Sequence, residues 1–354
     1  MTDRKYKIAL IPGDGIGLEV VPAAVEVLEA VGGRFGIGFA WTDLPWSCEL
    51  YTKTGRMMPE DGVEQCKAHD AIFLGAVGYP GVPDHVSLWG LLIPLRRELR
   101  QYANVRPVRL FEGVPSPLAG RKPGDIDFIV VRENNEGEYS EAGGRLYRGT
   151  ENELAIQEAI FTRRGVDRIM TYAFELAQKR RGHVTSATKS NGIIHTMPFW
   201  DERFAAISAK YPQTKTDQYH IDILTAHFVQ HPDWFDVVVA SNLFGDILSD
   251  LGPAIAGGIG IAPSANLNPE REFPSMFEPV HGSAPDIAGK GIANPIAQIW
   301  CGSMMLDHLG EPDAARAIDA AIEKVLADPA SRTRDLGGSA STKDCARAVI
   351  EALG

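Results

Sequence analysis

Short runs of β-branched and aliphatic residues alternate with segments of helical periodicity along most of this chain. The apolar runs predict strands at 7–11, 71–76, 128–132, 183–187 and 237–240. Spacings of three and four residues predict helices at 17–30, 88–100, 196–210 and 243–251, and another helix ending near 181. From 293 onward the pattern is almost entirely helical, with later segments at 307–326 and 343–353. The repeated strand–helix order predicts an α/β fold with a large, mostly parallel sheet.

Two glycine- or polar-rich segments interrupt this pattern. The turn at 12–17 contains three glycines, but a dinucleotide-binding fingerprint would need further glycines where Leu18 and Val20 stand. We therefore interpret it as a tight turn between strand and helix and not as a Rossmann motif. The polar segment 132–149 predicts a loop or hairpin that forms a domain junction or an exposed arm.

Composition narrows the range of partners. The 354-residue chain carries a net charge of -11, which argues against a nucleic acid or an anionic membrane as the main partner. Its four cysteines are far apart and indicate reduced thiols rather than disulfides or a zinc site. With no signal-peptide pattern and no apolar run of membrane-spanning length, we expect a cytoplasmic protein.

Two carboxylates follow the predicted strand at 237–240. Asp246 and Asp250 are four residues apart, so on a helix they share one face. Two like charges there cost stability unless a cation lies between them, and hard oxygen ligands suit Mg²⁺ or Mn²⁺. A solvated acidic face is the alternative, although the apolar strand that leads into this helix disfavours it.

Anion-binding and proton-transferring side chains lie elsewhere. Arg96, Arg106 and Arg132 are candidates for binding a dicarboxylate, because guanidinium groups pair bidentately with carboxylates. Tyr139 and Lys189 are candidate proton carriers, since burial or neighbouring cations readily lower the pKa of a lysine. Each of these residues taken singly also fits an ordinary surface or loop position.

A glycine-rich segment at 281–295 is the better candidate for binding a nucleotide. Its glycines allow the backbone to approach a ligand, and exposed amides can hold phosphate. Asp286 is suited to accept hydrogen bonds from ribose hydroxyls and to repel a 2′-phosphate, which favours NAD over NADP, although Lys290 is close by. An ordinary surface loop is the alternative. The candidate cofactor contacts are His281, Gly282, Ser283, Ala284, Asp286, Ile287 and Asn294.

Taken together, these segments resemble the family of isocitrate, isopropylmalate and tartrate/D-malate dehydrogenases. The resemblance runs from the turn at 11–17 to 293–295 and is most specific at 242–250 and 281–286. It implies a two-domain isopropylmalate/isocitrate dehydrogenase-like fold. One domain comprises 1–102 and 253–354 and binds the cofactor, and the other comprises 103–252, binds substrate and metal, and forms the dimer contact.

The resemblance also implies roles for individual residues. Arg96, Arg106 and Arg132 would hold the substrate carboxylates, and Asp222, Asp246 and Asp250 would ligate the metal. Lys189 and Asp222 would be contributed by the partner subunit of a homodimer, so a monomer would be inactive. Tyr139, Lys189 and Asp222 form the predicted catalytic group. Pairing of dimers into tetramers and assistance by K⁺ are left open.

Within the family, the segment 87–96 is expected to select the substrate. Its sequence is similar to that of the tartrate/D-malate subgroup, and Trp89 would reduce the pocket volume and favour a four-carbon diacid. The resemblance thus predicts NAD- and Mg²⁺- or Mn²⁺-dependent oxidation of tartrate and D-malate, with D-malate giving pyruvate and CO₂. The alternatives are a 3-isopropylmalate dehydrogenase and, more distantly, a non-catalytic regulatory subunit.

Overall fold

One ten-stranded sheet runs through the computed structural model, which describes residues 4–354. The first three residues of the predicted first domain lie outside the described residues. The strands in chain order are β1 Arg4–Gly13, β2 Ile37–Asp43, β3 Ala71–Ala76, β4 Ala103–Arg109, β5 Asp127–Glu133, β8 His183–Thr188, β9 Lys215–His220, β10 Val237–Ala240, β11 Pro263–Leu267 and β12 Ser275–Pro279, with a separate hairpin of β6 Gly143–Leu146 and β7 Leu154–Gln157.

Helices connect most of these strands and cover the sheet. They are α1 Gly17–Phe35, α2 Cys48–Thr54, α3 Gly62–Lys67, α4 Asp84–Ser87, α5 Ile93–Glu98, α6 Arg163–Gln178, α7 Thr196–Ser208, α8 Ile221–Gln230, α9 Asn242–Ala256, α10 Ile296–Leu309, α11 Pro312–Ala327 and α12 Thr342–Leu353. A π-helical turn at Leu88–Leu92 joins α4 to α5, and short 3-10 turns lie at Pro232–Trp234, Ile259–Ile261 and Arg334–Leu336.

The sheet is mostly parallel, as predicted. Its order is β2-β1-β3-β12-β11-β4-β5-β10-β8-β9, and within this sheet, over residues 4–354, only the pairings of β11 with β12, of β11 with β4 and of β4 with β5 are antiparallel. The predicted division of the chain falls between β11 and β4. We call β2, β1, β3, β12 and β11 the first half-sheet, and the other five strands the second half-sheet. The sheet is continuous across this line, and the division into domains stays a prediction.

A large apolar core extends across both half-sheets. Phe73 of β3, Phe128 of β5 and Val238 of β10 are completely buried within it. Burial of a side chain of this size contributes about 1.5–3 kcal/mol. The core therefore supports the strand ends of both halves in one framework.

The structure corrects some of the predicted helices. The helix predicted at 307–326 is two helices, because α10 ends before Gly310, which has φ +91°, and Pro312 begins α11. The helix predicted at 88–100 begins earlier, at Asp84, and contains the π-helical turn. The polar segment at 132–149 does lead into an exposed hairpin, although its second strand lies beyond the predicted bounds.

The first glycine turn is structural, as the sequence predicts. Gly13 has φ +74°, and a Cβ atom there would lie 2.0 Å from the carbonyl oxygen of Ala76. The buried Asp14 carboxylate accepts hydrogen bonds from the backbone amides of Cys48 and Gly78. These contacts hold the turn against the loop that follows β3. Within residues 4–354, no helix is both long and apolar enough to cross a membrane.

Candidate active site

A cleft of about 250 Å³ lies between side chains of the first and second half-sheets. We call it the arginine cleft. The side of the first half-sheet contributes Arg96 and the segment after β12, and the side of the second half-sheet contributes Arg106 and Arg132. Its lining comprises Leu74, Gly75, Ala76, Val77, Leu88, Leu92, Arg96, Arg106, Arg132, Tyr139, Asp246, Glu278, Pro279, Val280, His281 and Gly282.

The structure brings the three predicted arginines together in this cleft. All three are buried, at 7%, 8% and 2% exposure for Arg96, Arg106 and Arg132. Burial lowers the pKa of Arg106 and, helped by the neighbouring Arg106 charge, that of Arg132 to about 10. Arginines remain protonated at neutral pH under such a shift. The cleft thus concentrates positive charge, which suits a ligand with more than one carboxylate.

Neighbouring side chains fix the orientation of each guanidinium group. Arg96 Nη2 donates to Glu278 Oε1 at 2.6 Å, and Arg106 Nη1 donates to Ser249 Oγ at 2.7 Å. Arg132 donates from Nε and Nη2 to the side-chain oxygen of Asn242 at 3.0 and 2.7 Å. Sequence reasoning did not find Glu278 or Ser249, because an isolated polar residue in a buried strand or helix has no distinctive spacing.

Helix α9 carries the two predicted metal ligands to the cleft. Ser241 caps its N-terminus, and the Glu138 carboxylate accepts hydrogen bonds from Ser241 Oγ and from the Leu243 amide. At Gly245 the helix passes so close to β5 that an added Cβ atom would lie 2.6 Å from Arg132 Cβ. This close approach places Asp246 directly beside the arginines.

The two carboxylates of α9 have different environments. Asp246 Oδ1 pairs with Arg132 and lies 3.6 Å from Arg106 Nη1, while Asp250 Oδ1 lies 3.7 Å from the same Arg106 atom. Burial by itself raises the pKa of Asp246, but Arg132, Arg106 and a hydrogen bond from Tyr139 outweigh it and lower the pKa overall. Burial also raises the pKa of Asp250, and there the weaker influence of Arg106 does not offset it.

Tyr139 lies in the same cleft. Its hydroxyl donates to Asp246 Oδ2 at 2.7 Å. Burial and this hydrogen bond raise the pKa of Tyr139 to about 12. The hydroxyl is therefore protonated at neutral pH and can act as a proton donor.

Lys189 and Asp222 lie together but apart from the arginine cleft. Lys189 Nζ and Asp222 Oδ1 form a 2.7 Å ion pair, in which the Asp222 side chain is 67% exposed. The Lys189 hydrogen bond lowers the pKa of Asp222. Across the described chain, no group of three histidines, cysteines or carboxylates is arranged to hold a metal ion. A single subunit therefore brings Asp246 and Asp250 together but not Asp222.

Trp89 does not line the cleft in this structure. Leu88 and Leu92, four residues apart on the π-helical turn and on a common face, line it instead. The indole of Trp89 lies under the guanidinium of Arg97, whose Cζ is 4.9 Å from the ring centroid. The pocket volume attributed to Trp89 is therefore limited here by the two leucines.

The glycine-rich loop at 281–295 adjoins the cleft and packs on the N-terminal turn. The Ser283 backbone oxygen accepts a hydrogen bond from the Ile16 amide. The Glu19 carboxylate accepts hydrogen bonds from the amides of Gly289 and Gly291. His281 and Gly282 line the cleft itself.

The remaining predicted cofactor contacts are spread along this loop. Asp286 is exposed, and the Lys290 ammonium donates to its backbone oxygen. Asn294 donates to Asp335 Oδ2 at 2.9 Å, and Ala284 has φ +40°. The loop thus places His281 and Gly282 at the arginine cleft and leaves the Asp286 side chain exposed.

Comparison with known proteins agrees with this geometry. The isocitrate/isopropylmalate dehydrogenase family model matches residues 7–349. This chain belongs to that family. It is 61% identical over 358 residues to the D-malate dehydrogenase [decarboxylating] of Escherichia coli strain K12, with 99% of each chain covered. It is also 61% identical over 362 residues to the tartrate dehydrogenase/decarboxylase of Pseudomonas putida, covering 100% of this chain and 99% of that one.

The fold agrees as well. A crystal structure of isocitrate dehydrogenase from Methylococcus capsulatus superposes with a TM-score of 0.89 at 38% identity, covering 98% of this chain and 99% of that one. The predicted isocitrate dehydrogenase-like fold is therefore confirmed, and the chain is an oxidoreductase of this family.

Proposed function

We propose that this dehydrogenase oxidises tartrate and D-malate with NAD and a divalent cation, and that it converts D-malate into pyruvate and CO₂. The convergence of three buried guanidinium groups with Asp246 and Tyr139 in one small cleft supports this proposal above all. Three cations match a substrate with two carboxylates. The names of the two relatives at 61% identity indicate the same substrates.

The donor set of the cleft fits Mg²⁺ or Mn²⁺. Asp246 and Asp250 provide carboxylate oxygens on one face of α9, next to the space where a hydroxyl and a carboxylate of the substrate would lie. When bound, the cation would stabilise negative charge that develops on the substrate oxygens. Asp222 would complete the site from a partner subunit, because within one subunit it is paired with Lys189 outside the cleft.

The residues of this chain would then carry the proton transfers. Arg96, Arg106 and Arg132 would orient the diacid, and NAD⁺, when bound, would supply the acceptor for the hydride that leaves C2. Lys189 of the partner subunit, directly or through a water molecule, would remove the hydroxyl proton. After CO₂ leaves, the Tyr139 hydroxyl would protonate C3 to give pyruvate, and its raised pKa keeps the proton available at neutral pH.

NAD is the proposed coenzyme because Asp286 is exposed at the rim of the loop next to the cleft. A carboxylate there can accept from both ribose hydroxyls and repels a 2′-phosphate. The ammonium group of the nearby Lys290 donates a hydrogen bond to the Asp286 backbone oxygen.

A second candidate substrate is 3-isopropylmalate. Leu88 and Leu92 provide an apolar wall to the cleft, and such a wall would accept a branched alkyl group. The same chemistry would then act on a larger diacid. The small volume of the cleft and the names of the two relatives at 61% sequence identity favour the four-carbon substrates.

Formation of NADH by the purified protein with Mn²⁺ tests the proposal. D-malate, the tartrate isomers and 3-isopropylmalate would be compared at equal concentrations, with NADP in place of NAD as a coenzyme control. We expect turnover of the four-carbon diacids with NAD that is abolished by EDTA and restored by Mn²⁺. A strong preference for 3-isopropylmalate would retain the chemistry and reject the proposed substrates.

A further inference from the structure

Arg97 connects the two sides of the arginine cleft. It lies on α5 next to Arg96, on the side of the first half-sheet, whereas Tyr139 lies in the loop that follows β5 of the second half-sheet. The Arg97 guanidinium donates to the backbone oxygen of Tyr139 at 2.7 Å and to a carboxylate oxygen of Glu141 at 2.8 Å. The residue beside a substrate-binding arginine thus holds the backbone of the candidate proton donor.

The Trp89 indole packs against the Arg97 guanidinium. The Arg97 guanidinium lies over the indole with its Cζ 4.9 Å from the ring centroid, which is within the range of a cation–π interaction. The Arg97 side chain is only 27% exposed, so water screens these contacts less than on an open surface. An aromatic face, a carbonyl and a carboxylate together fix the guanidinium in one orientation.

The segments on both sides of Tyr139 are held by other contacts: Gln157 Nε2 donates to the backbone oxygens of Glu138 and Ser140. Gly137 forms a bridge with Ile160, and Glu138 holds the start of α9, but the Tyr139 carbonyl receives its hydrogen bond from Arg97. At the other end of Tyr139, the hydroxyl reaches Asp246. Tyr139 is therefore held at its side chain from the second half-sheet and at its backbone from the first.

We propose that Arg97, supported by Trp89, is a positioning residue that places the Tyr139 hydroxyl for proton delivery to the substrate. This inference rests on the proposed function, in which Tyr139 protonates the product of decarboxylation. Without Arg97 the Tyr139 backbone oxygen loses this hydrogen bond, and proton delivery slows relative to release of the enolpyruvate that CO₂ loss leaves. Trp89 then acts through Arg97 and not as a wall of the pocket.

Steady-state kinetics of the intact enzyme with D-malate, NAD and Mn²⁺ test this role. We expect Arg97→Gln to lower kcat about tenfold, since small misplacements of a catalytic group have effects of this size or larger. The KM for NAD should not change, and the ratio of enolpyruvate to pyruvate among the initially released products should rise. Arg97→Lys should restore part of the kcat and part of the wild-type product ratio, because an ammonium group can still donate to the Tyr139 carbonyl. Trp89→Leu should change them in the same direction as Arg97→Gln.

Arg100→Gln is the matched control. Arg100 is also paired with a carboxylate, Glu272 at 2.7 Å, and also lies over an aromatic ring, Phe273, but it does not line the cleft. This variant should retain wild-type kinetics and product ratio. If Arg97→Gln does not fold, Arg97→Lys and Trp89→Leu provide the test by themselves.

Two results would overturn the inference. In the first, the wild type turns over D-malate and the Arg97 and Trp89 variants keep its kcat and product ratio. In the second, Arg100→Gln changes both values as much as Arg97→Gln does, which would indicate a general structural effect. Absence of turnover by the wild type with every diacid would instead reject the proposed function, and the inference with it.

Discussion

At the scale of single residues, the arginine cleft combines a neutral hydroxyl with an ionised carboxylate in one hydrogen bond. Tyr139 donates to Asp246 Oδ2, and the pKa values of the two groups are shifted in opposite directions, to about 12 for the phenol and below its usual range for the carboxyl. Groups separated in this way can take the roles of acid and charged ligand side by side.

Replacement of Tyr139 by Phe should therefore reduce catalysis more than metal binding. The variant loses the proton donor but keeps both carboxylates of α9, so we expect a loss of pyruvate formation of about 10²-fold or more. The dissociation constant for Mn²⁺, measured by titration calorimetry, should stay close to that of the wild type. Equal losses in both measurements would contradict the role of Tyr139 as a proton donor.

Glu133 at the end of β5 is a buried acid that follows Arg132 in the chain. Burial raises its pKa to about 7, against the opposing charge of Arg168. The folded state therefore keeps a proton that the unfolded state loses between the ordinary glutamate pKa and about 7. The contribution of Glu133 to stability is present at lower pH and is lost as the pH rises through this window.

Glu133→Gln should remove this pH dependence. The amide oxygen can still accept the hydrogen bonds that Glu133 Oε1 receives from the amides of Asn135 and Glu136. The shift corresponds to at most about 3 kcal/mol. We expect the difference in Tm between the variant and the wild type to be more favourable to the variant at pH 8 than at pH 5. A difference that is independent of pH, or of opposite sign, would show that Glu133 ionises normally.

At the scale of elements, the packing of α9 on β5 sets the distance between the proposed metal ligands and the arginines. Gly245 permits this approach, because a Cβ atom there would lie 2.6 Å from Arg132 Cβ and Cγ. Cores resist such insertions, since few neighbouring atoms can move without strain. The glycine is therefore required by packing and not by backbone conformation.

Gly245→Ala should push Arg132 away from its position. We expect a destabilisation of about 1–3 kcal/mol and a higher KM for the diacid, with a smaller effect on the KM for NAD. Gly33→Ala in α1 is the control, because its Cβ atom would meet nothing within 4 Å. That change should stabilise the protein by about 0.5–1 kcal/mol. Denaturant unfolding and kinetics of both variants measure these effects, and equal behaviour of the two would refute the packing argument.

At the scale of the whole molecule, the residues of the proposed active site form two separate groups within one chain. Asp246 and Asp250 line or adjoin the cleft, while Lys189 and Asp222 pair with each other elsewhere. A homodimer with shared sites would unite them. This assembly is a proposal, and it can be tested by mixing inactive variants.

Lys189→Met and Asp246→Asn should each be inactive as purified proteins. If sites are shared, refolding a one-to-one mixture forms heterodimers in which one site has an intact Lys189 and an intact Asp246. Statistical assembly should then restore about a quarter of the wild-type activity. The same two purified variants, mixed without refolding, provide the control. Mixtures that stay as inactive as their parents would show that each site belongs to a single chain.

Much of this protein could be predicted from local sequence. The alternation of apolar runs and helical periods predicted the α/β class, because burial on one face of each element imposes these periods. The ordered motifs around Asp246 and His281 indicated the family that the comparisons confirm. The break of the last helices at Gly310 was missed, because apolar periodicity continues on both sides of the turn.

Other features depended on tertiary structure alone. The pairing of Arg96 with Glu278 joins residues 182 positions apart, and the contact of Arg97 with Tyr139 crosses 42. Local spacing cannot encode such contacts, since they arise only when strands from distant parts of the chain become neighbours in one sheet. Local sequence defines which chemical groups are available and the periodicity of the elements that carry them. Which of these groups meet depends on the fold, because the sheet order places residues of β4, β5 and β12 around one cleft.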